Sequence, residues 1–267
     1  MTLFQAAILG VVQGLTEFLP VSSSAHLILA RAVFGWNAGE LNLAFDVAYH
    51  LGTLVAVAAF FGGDIASLFR NIPSALSRRP TPDGRRLWLL AAAMLPVMIV
   101  GLTMSDFIDA VRDQPRVTAI ALIAGAFLLF LVERLSPREG TEATLTMPGA
   151  VVIGAAQAMA LVPGVSRSGA TITAGMLLGM SRLASARFTF LLSVPAIGAA
   201  AVHEGLKLRH AVLGGHDWAL FAVGFGTSAV VGYLTVGFLL KFLVSHRLDV
   251  FAWYRIAIGV AILIWLS

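Results

Sequence analysis

Two long apolar stretches of this 267-residue chain are each interrupted near the middle by polar residues. Residues 1–36 contain a break at 17–26, and residues 149–181 contain a break at 163–169. Irregular backbone at membrane depth is tolerated only where protein or a water-filled cavity satisfies its polar groups. The two stretches are therefore predicted to be re-entrant helical hairpins whose tips meet at a polar site near the membrane midplane.

Six further apolar runs are long enough to cross about 30 Å of hydrocarbon, which takes roughly 17 to 25 helical residues. The composition agrees, because 58% of the residues are hydrophobic and 12% are charged, whereas soluble domains carry about 25% charged residues. The chain is therefore predicted to be one all-α polytopic membrane domain, residues 1–267. The six runs are 44–61, 87–104, 117–133, 187–206, 219–243 and 251–266.

The charges of the connecting loops predict an orientation. Five arginines lie in the loop 62–86, and short basic loops are typical of the cytoplasmic side of a membrane. Alternation along the chain then places the acidic loop with Asp106, Asp109 and Asp113 outside and the loop 134–148 inside. If each hairpin returns to the side it entered, both termini lie outside. The net charge of +4 is explained by these loops, so a lipid bilayer is the expected partner and nucleic acid is not.

The two interrupted stretches resemble each other at a spacing of 144 residues. Three predicted crossings separate the copies, and because three is odd the hairpins are predicted to enter from opposite faces, as inverted repeats do. The halves of this inverted repeat are approximately 1–133 and 149–267. The identical pairs include Gly10 and Gly154, Gln13 and Gln157, Val21 and Val165, Ser22 and Ser166, Ser24 and Ser168, and Ile28 and Ile172.

The two breaks concentrate the groups that carry chemistry. Glu17, His26 and Arg167 lie in them, and ionisable residues at membrane depth indicate a functional site. Arginine offers a planar fork of donors to phosphate, Gly164 and Gly169 allow a close backbone approach, and a half-helix N-terminus attracts anions. The site is predicted to bind a phosphate ester or a diphosphate. Its hydroxyl and amide groups are Gln13, Ser22, Ser23, Ser24, Ser166, Ser168 and Thr171.

Each of these residues also has a structural interpretation. The serines of the first break could cap a half-helix, and Glu17 with Arg167 could form a buried ion pair that holds the hairpins together. His26 could be a hydrogen-bonded structural group. Asp46 and His50 share a helix face through their i,i+4 spacing, and are interpreted mainly as structural, with a place beside the site as the alternative.

The segments from Gln13 to His26 and from Pro163 to Thr171 resemble the two signature motifs of the undecaprenyl-diphosphate phosphatases of the bacitracin-resistance type. In that family the first motif is Glu or Gln, three residues, then Glu, and the second is Pro-Gly-x-Ser-Arg-Ser-x-x-Thr. Both motifs match without a gap, with glutamine at the first acidic position.

The resemblance implies a reaction and a place. The reaction is hydrolysis of undecaprenyl diphosphate to undecaprenyl phosphate and inorganic phosphate, which recycles the cell-wall carrier lipid and gives bacitracin resistance. The place is the bacterial cytoplasmic (inner) membrane, with the active site open to the outer side. A divalent cation, Mg²⁺ or Ca²⁺, is expected to assist, and an apolar groove between crossings is expected to receive the polyprenyl tail.

Under this resemblance Arg167 stabilises charge on the transferring phosphoryl group. Glu17 acts as a general base or as a cation ligand, with Gln13 as a neutral second ligand. The nucleophile stays open between Ser23, His26 and a metal-bound water, and Ser23 with His26 as its partner is preferred. The predicted substrate-binding residues are Ser22, Ser24, Ser166, Arg167, Ser168 and Thr171.

A second class of function fits the same architecture. Inverted repeats with broken helices at the midplane are also found in secondary transporters, so a transporter or flippase for a phosphorylated lipid or anion is the alternative. A carboxylate, an imidazole and a serine together favour hydrolysis over transport. Gly224, Gly226 and Gly232 predict close helix packing, within one subunit or in a homodimer.

Overall fold

The computed structural model describes residues 1–36, 41–112, 114–137, 139–207 and 214–266. Asp113, one of the acidic residues of the predicted outer loop, lies outside these described residues. The α-helices of the described residues are α1 (Leu3–Thr16), α2 (Ser23–Phe34), α3 (Asn42–Phe60), α4 (Gly62–Arg70), α5 (Ile72–Ala75), α6 (Pro82–Thr103), α7 (Ser105–Arg112), α8 (Pro115–Leu135), α9 (Met147–Met159), α10 (Arg167–Leu177), α11 (Arg182–Lys207), α12 (Gly215–Ser245) and α13 (Asp249–Trp265).

Among the described residues, five helices are long and apolar enough to cross a bilayer, namely α3, α6, α8, α11 and α12. They cover five of the six predicted runs to within one residue, so the prediction of an all-α polytopic membrane protein is confirmed. The sixth run lies in α13, whose 17 residues extend about 26 Å at 1.5 Å per residue. Several helices extend beyond the predicted runs, because polar residues such as Arg182 and Asp217 occupy their first turns.

Both interrupted stretches fold as two short helices separated by irregular backbone. The first consists of α1 and α2, and the second of α9 and α10. Ser22 and Ser166 precede the second helix of each pair with φ values of +72° and +70°. Such backbone costs a non-glycine residue about 1–3 kcal/mol, so the surrounding structure must hold both turns. The two predicted interruptions are confirmed.

Each hairpin packs closely on a helix from the other half of the chain. In α1, a Cβ at Gly10 would lie 2.6 Å from the carbonyl oxygen of Gly224 in α12. In α9, a Cβ at Gly154 would lie 2.3 Å from the carbonyl oxygen of Ala93 in α6. Real Cβ contacts are not that short, so only glycine permits either approach. Gly10 and Gly154 are equivalent under the 144-residue shift, and both hairpins use them in the same way.

The glycines of α12 serve contacts within the chain. A Cβ at Gly224 would lie 2.2 Å from the Tyr49 ring, and a Cβ at Gly232 would lie 3.1 Å from Ala56 Cβ. These positions therefore explain how α12 packs against α3. The predicted close packing is confirmed within the subunit for Gly224 and Gly232 but not for Gly226, where a Cβ would meet no atom of the described residues within 4 Å. A homodimer stays a prediction.

One end of the bundle collects basic side chains. Arg86 at the start of α6 donates to Glu142 at 2.5 Å. Arg182 at the start of α11 donates to both carboxylate oxygens of the buried Glu133, at 2.7 and 2.6 Å. The amide of Leu248, just before α13, donates to the same carboxylate at 2.9 Å. The first turns of α6, α11 and α13 therefore lie at one end, which we call the basic end.

The opposite end carries Met1, α7 and the end of α13. Arg112 of α7 donates to Glu204 of α11 at 2.8 Å. The His216 ring nitrogen Nε2 lies 3.2 Å from the carbonyl oxygen of Met1, so α1 and α12 begin together there. Since α13 starts at the basic end, it finishes at this opposite end.

Candidate active site

A cavity of about 360 Å³ extends from the two hairpin breaks to α7. Glu17, Ser23 and Arg167 line it where the breaks meet, and Asp109 and Arg112 line it at α7. The remaining wall is largely apolar, so the cavity has a polar floor and an apolar side. The apolar wall comes from α6, α11 and the residues just after α9, and includes Met94, Val97, Met98, Leu102, Leu161 and Ala196.

The Glu17 carboxylate joins the two breaks. Its Oε2 accepts hydrogen bonds from Ser23 Oγ at 2.6 Å and from Gln13 Nε2 at 2.9 Å. Its Oε1 accepts a hydrogen bond from Arg167 Nη2, across the two hairpins. The Glu17 side chain is only 4% exposed, whereas the Arg167 side chain is 22% exposed. The carboxylate is thus enclosed, and the guanidinium is accessible to a ligand in the cavity.

The backbone of the two breaks places these side chains. Gln13 and Glu17 are four residues apart and share one face at the end of α1. The turns at Ser22 and Ser166 start new helices, so Ser23 and Arg167 are the first helical residues of α2 and α10. Helix N-termini carry partial positive charge and unpaired N–H groups that favour anions. Two such N-termini and a guanidinium therefore meet at the cavity floor.

His50 of α3 reaches the same carboxylate. Its Nε2 lies 3.6 Å from Glu17 Oε2, and it lines the cavity. Its Nδ1 is 2.7 Å from the carbonyl oxygen of Asp46, which can only accept, so Nδ1 carries a proton and Nε2 faces the carboxylate. Asp46 itself pairs with Arg31, 3.1 Å from Nη1 to Oδ2. Asp46 therefore has a structural role, which was the main interpretation for both residues, whereas His50 lies beside the site, which was the alternative.

His26 faces away from the carboxylate. Its Nδ1 lies 2.7 Å from the carbonyl oxygen of Ser22, and its Nε2 lies 2.8 Å from the hydroxyl of Tyr254. The ring is stacked on the Tyr254 ring at 5.5 Å between centroids. Both ring nitrogens are therefore engaged. In the described part of the chain, the hydrogen-bond partner of Ser23 Oγ is Glu17 rather than His26.

The predicted substrate-binding hydroxyls divide into two groups. Ser22, Ser24 and Ser166 line the cavity. Ser168 instead donates to the carbonyl oxygen of Leu19 at 2.8 Å and so ties the second break to the first. Thr171 donates to the Arg167 carbonyl oxygen at 2.8 Å and accepts from Thr189 at 3.0 Å, inside the bundle. The structure therefore places Ser168 and Thr171 behind the cavity floor.

Gln13 offers an oxygen beside the carboxylate. Its side chain is fully buried, and its Oε1 has no hydrogen-bond partner among the described residues. No group of three or more acidic, histidine or cysteine side chains suited to a metal occurs within the described ranges. Glu17 and Gln13 are two neighbouring oxygen-bearing groups, and a cation held by them would need phosphate oxygens and water to complete its coordination.

The far end of the cavity is charged as well. Arg112 donates to Glu204 at 2.8 Å and lies 3.3 Å from Asp109 Oδ1. Burial acts to lower the pKa of Arg112, but the hydrogen bond and ion pair with Glu204 outweigh it, and the pKa is raised. This guanidinium therefore stays charged at the α7 end of the cavity.

Arg255 of α13 is a further residue at the breaks, and the sequence analysis did not identify it. Its guanidinium donates to the carbonyl oxygen of Pro20 at 3.3 Å and to that of Gly164 at 3.0 Å. The signal was present, because an arginine inside the apolar run 251–266 is a charged residue at membrane depth.

Together, the fold and the site define a class: a polytopic helical membrane protein in which two broken helices bring a hydroxyl, a carboxylate and a guanidinium together at the floor of a largely apolar cavity. The chain belongs to the bacitracin resistance protein BacA family, whose model matches residues 6–261. The family membership predicted from the two motifs is thereby confirmed.

Full-length relatives agree with this assignment. The undecaprenyl-diphosphatase of Geobacter metallireducens is 45% identical over 264 residues, which cover 98% of this chain and 97% of that protein. The undecaprenyl-diphosphatase of Pelotomaculum thermopropionicum is 43% identical over 265 residues, with 99% and 97% covered. That of Thermomicrobium roseum is 43% identical over 277 residues, with 100% and 99% covered.

Proposed function

We propose that this protein hydrolyses undecaprenyl diphosphate to undecaprenyl phosphate and inorganic phosphate. The relatives that match it over their whole length carry the name of this activity. One observation carries the proposal: the Ser23 hydroxyl, the Glu17 carboxylate and the Arg167 guanidinium form one hydrogen-bonded cluster at the floor of a largely apolar cavity. The reaction returns the carrier lipid of the cell wall to use, and it accounts for bacitracin resistance.

The two parts of the cavity match the two parts of the substrate. The diphosphate binds at the floor, where Arg167 and the N-termini of α2 and α10 supply donors. The hydroxyls of Ser22, Ser24 and Ser166 add further hydrogen bonds to phosphate oxygens. The polyprenyl chain lies along the apolar wall, because hydrocarbon is better accommodated beside apolar side chains than beside the charged groups of the floor.

Ser23 is the nucleophile in this proposal. Its Oγ attacks the terminal phosphorus while its proton passes to Glu17, and the bond from that phosphorus to the bridging oxygen breaks. Undecaprenyl phosphate leaves with the proton that Glu17 received. Water then attacks the phosphoserine, gives a proton to Glu17, and releases inorganic phosphate as that proton returns to Ser23 Oγ. Arg167 stabilises the charge on the phosphoryl oxygens in both steps.

His50 orients the attacking water in the second step, because its Nε2 faces the carboxylate from the cavity side. Replacing His50 with alanine is expected to lower kcat by about 100-fold, the lower end of the range for such groups. His50→Gln, which keeps a polar side chain, is expected to lose less. The measurement is steady-state phosphate release.

His216→Ala is the matched control for His50→Ala. His216 is an exposed histidine at the α7 end, where its Nε2 lies 3.2 Å from the backbone carbonyl oxygen of Met1. Its replacement is expected to leave kcat unchanged. Equal kcat values for His50→Ala and the wild type would remove His50 from the mechanism.

A divalent cation, Mg²⁺ or Ca²⁺, is part of the proposal. Glu17 and Gln13 would hold it, since the buried Gln13 Oε1 lacks a protein partner and such cations prefer oxygen ligands. When bound, it would neutralise charge on the phosphate oxygens. Because this pair offers only one carboxylate and one amide, its affinity for the cation depends on further oxygen ligands from the substrate phosphates.

The membrane is the bacterial cytoplasmic membrane, and the cavity opens to its outer side. The basic end of the bundle carries the arginine-rich loop 62–86 and fits the cytoplasmic face by the positive-inside rule. The cavity extends toward the opposite end, where α7 and the termini lie. Both termini then lie outside.

The test is phosphate release by the purified protein in detergent. Undecaprenyl diphosphate is expected to yield one phosphate and one undecaprenyl phosphate with Mg²⁺ or Ca²⁺, and little after chelation. Undecaprenyl phosphate as substrate should release none. No release by folded protein over a range of cations would overturn the proposal and direct the work to lipid transport in vesicles.

A further inference from the structure

Arg255 is the largest fully buried side chain of the described residues, with 1% of its surface exposed. Its nitrogens donate to backbone carbonyl oxygens in three different elements. Nη1 donates to Pro20 in the first break at 3.3 Å, and Nη2 donates to Gly164 and Val165 in the second break, both at 3.0 Å. Nε donates to Leu122 in α8 at 3.0 Å. One guanidinium therefore connects both breaks and a membrane-spanning helix.

The acceptors around Arg255 are carbonyl groups rather than carboxylates. Among the described residues, no acidic oxygen lies within 4 Å of its nitrogens, unlike Arg167 and Arg182, which each pair with a glutamate. Burying a charge is costly unless hydrogen bonds compensate for it. The carbonyls of an irregular break have no helical partners of their own, and they would remain unpaired if an apolar side chain replaced Arg255.

Two glycines provide the space that this guanidinium occupies. A Cβ at Gly125 of α8 would lie 2.0 Å from Arg255 Nη2, and a Cβ at Gly169 of α10 would lie 2.8 Å from Nη1. Gly169 lies two residues after Arg167 in the first turn of α10. The guanidinium thus lies directly behind the helix end that presents Arg167 to the cavity.

We propose that Arg255 is a positioning residue for phosphoryl transfer, which fixes the first break relative to the second. Ser23 follows the first break and Arg167 follows the second, so their relative position depends on the connection between the breaks. Catalysis is sensitive to such alignment, since a displacement of about 1 Å can lower a rate by about 100-fold. The inference rests on the proposed function, because it assigns Ser23 and Arg167 to one reaction.

Lysine at position 255 tests this role while keeping the positive charge. An ammonium has three donors and no fork, so it cannot bind the carbonyls of both breaks and of α8 together. Arg255→Lys is expected to lower kcat by about 100-fold and to change KM by less than about threefold, since the binding groups remain. Arg182→Lys is the matched control, because Arg182 is a half-buried arginine that pairs with the buried Glu133 at the basic end, and it should leave kcat unchanged.

A double-mutant cycle separates positioning from general structural support. If Arg255 acts by aligning Arg167 with Ser23, Arg255→Lys should lower kcat by less than about fivefold in an Arg167→Lys background. In that background the guanidinium that Arg255 would align is already absent. Independent effects would multiply instead. If Arg255→Lys does not fold, Gly169→Ala supplies the test, since its methyl displaces the guanidinium without removing it, and about a tenfold loss of kcat is expected.

The outcomes are distinct. The positioning role would be overturned by a wild-type kcat in folded Arg255→Lys or by effects that multiply in the double-mutant cycle. If the lysine variant does not fold, a wild-type kcat in Gly169→Ala would overturn it. A wild-type protein that releases no phosphate in the same assay would instead overturn the proposed function.

Discussion

Lysine in place of Arg167 is expected to lower kcat/KM for phosphate release by about 10²- to 10³-fold, the cost of removing one main donor to a developing phosphoryl charge. Arg167 binds the enclosed Glu17 and keeps part of its guanidinium exposed to the cavity. A planar fork can hold the carboxylate and a phosphate at once, whereas an ammonium presents a point charge. The measurement is kcat/KM for undecaprenyl diphosphate, with helical content checked by circular dichroism.

The control for this substitution lies in the same cavity. Arg112 lines its far end and pairs with Glu204 there, away from the hairpin breaks. Arg112→Lys is expected to leave kcat/KM within about threefold of wild type. The Arg112 side chain is 38% exposed, and ion pairs exposed to solvent contribute little energy. A loss below tenfold in folded Arg167→Lys would contradict the central role of the guanidinium.

The parts of the site that follow from local sequence could be predicted. A polar, glycine-containing break in an apolar stretch is visible in the sequence itself, and so are the residues it contains. Glu17, Ser23 and Arg167 therefore met in the structure as the two matching breaks suggested. The ends of the spans were less predictable, because capping and charged residues such as Arg182 extend helices beyond their apolar parts.

The parts that depend on tertiary contacts could not be predicted. His26 follows Glu17 by nine residues, but the turn at Ser22 directs its ring toward Tyr254, which is 228 residues away in sequence. His50 reaches the carboxylate because α3 packs beside α1. Nothing in a run of apolar residues indicates which helix it will contact, so the sequence alone could not identify the neighbours of either histidine.

The repeat also explains how the same backbone turn positions two residues with different chemical roles. The 144-residue shift aligns Ser23 with Arg167, and each is the first helical residue after a serine with positive φ. The same turn thus presents a hydroxyl from one hairpin and a guanidinium from the other. The shift also aligns Glu17 with Leu161, so only the first hairpin carries the carboxylate. Two similar halves therefore form an asymmetric site, as a directional phosphoryl transfer requires.

Alanine in place of Ser23 is expected to lower kcat by about 10³-fold or more, the scale on which loss of a nucleophile is felt. Ser23 Oγ is 2.6 Å from Glu17 Oε2, a distance that suits proton transfer, and it starts a helix whose N-terminus faces the cavity. The measurement combines phosphate release with acid-quenched single turnovers, analysed by mass spectrometry for a phosphoryl group on residue 23.

Ser24→Ala separates the nucleophile from its neighbours. Ser24 lines the same cavity, and its Oγ lies 3.1 Å from Ser22 Oγ rather than at the carboxylate. Replacing Ser24 with alanine is expected to lower kcat by less than about tenfold, because one hydrogen bond is lost. The phosphoserine should remain detectable. If Ser23→Ala retains a rate within tenfold of wild type, the attack comes from water at Glu17 instead, because that carboxylate would still be in place to accept the proton.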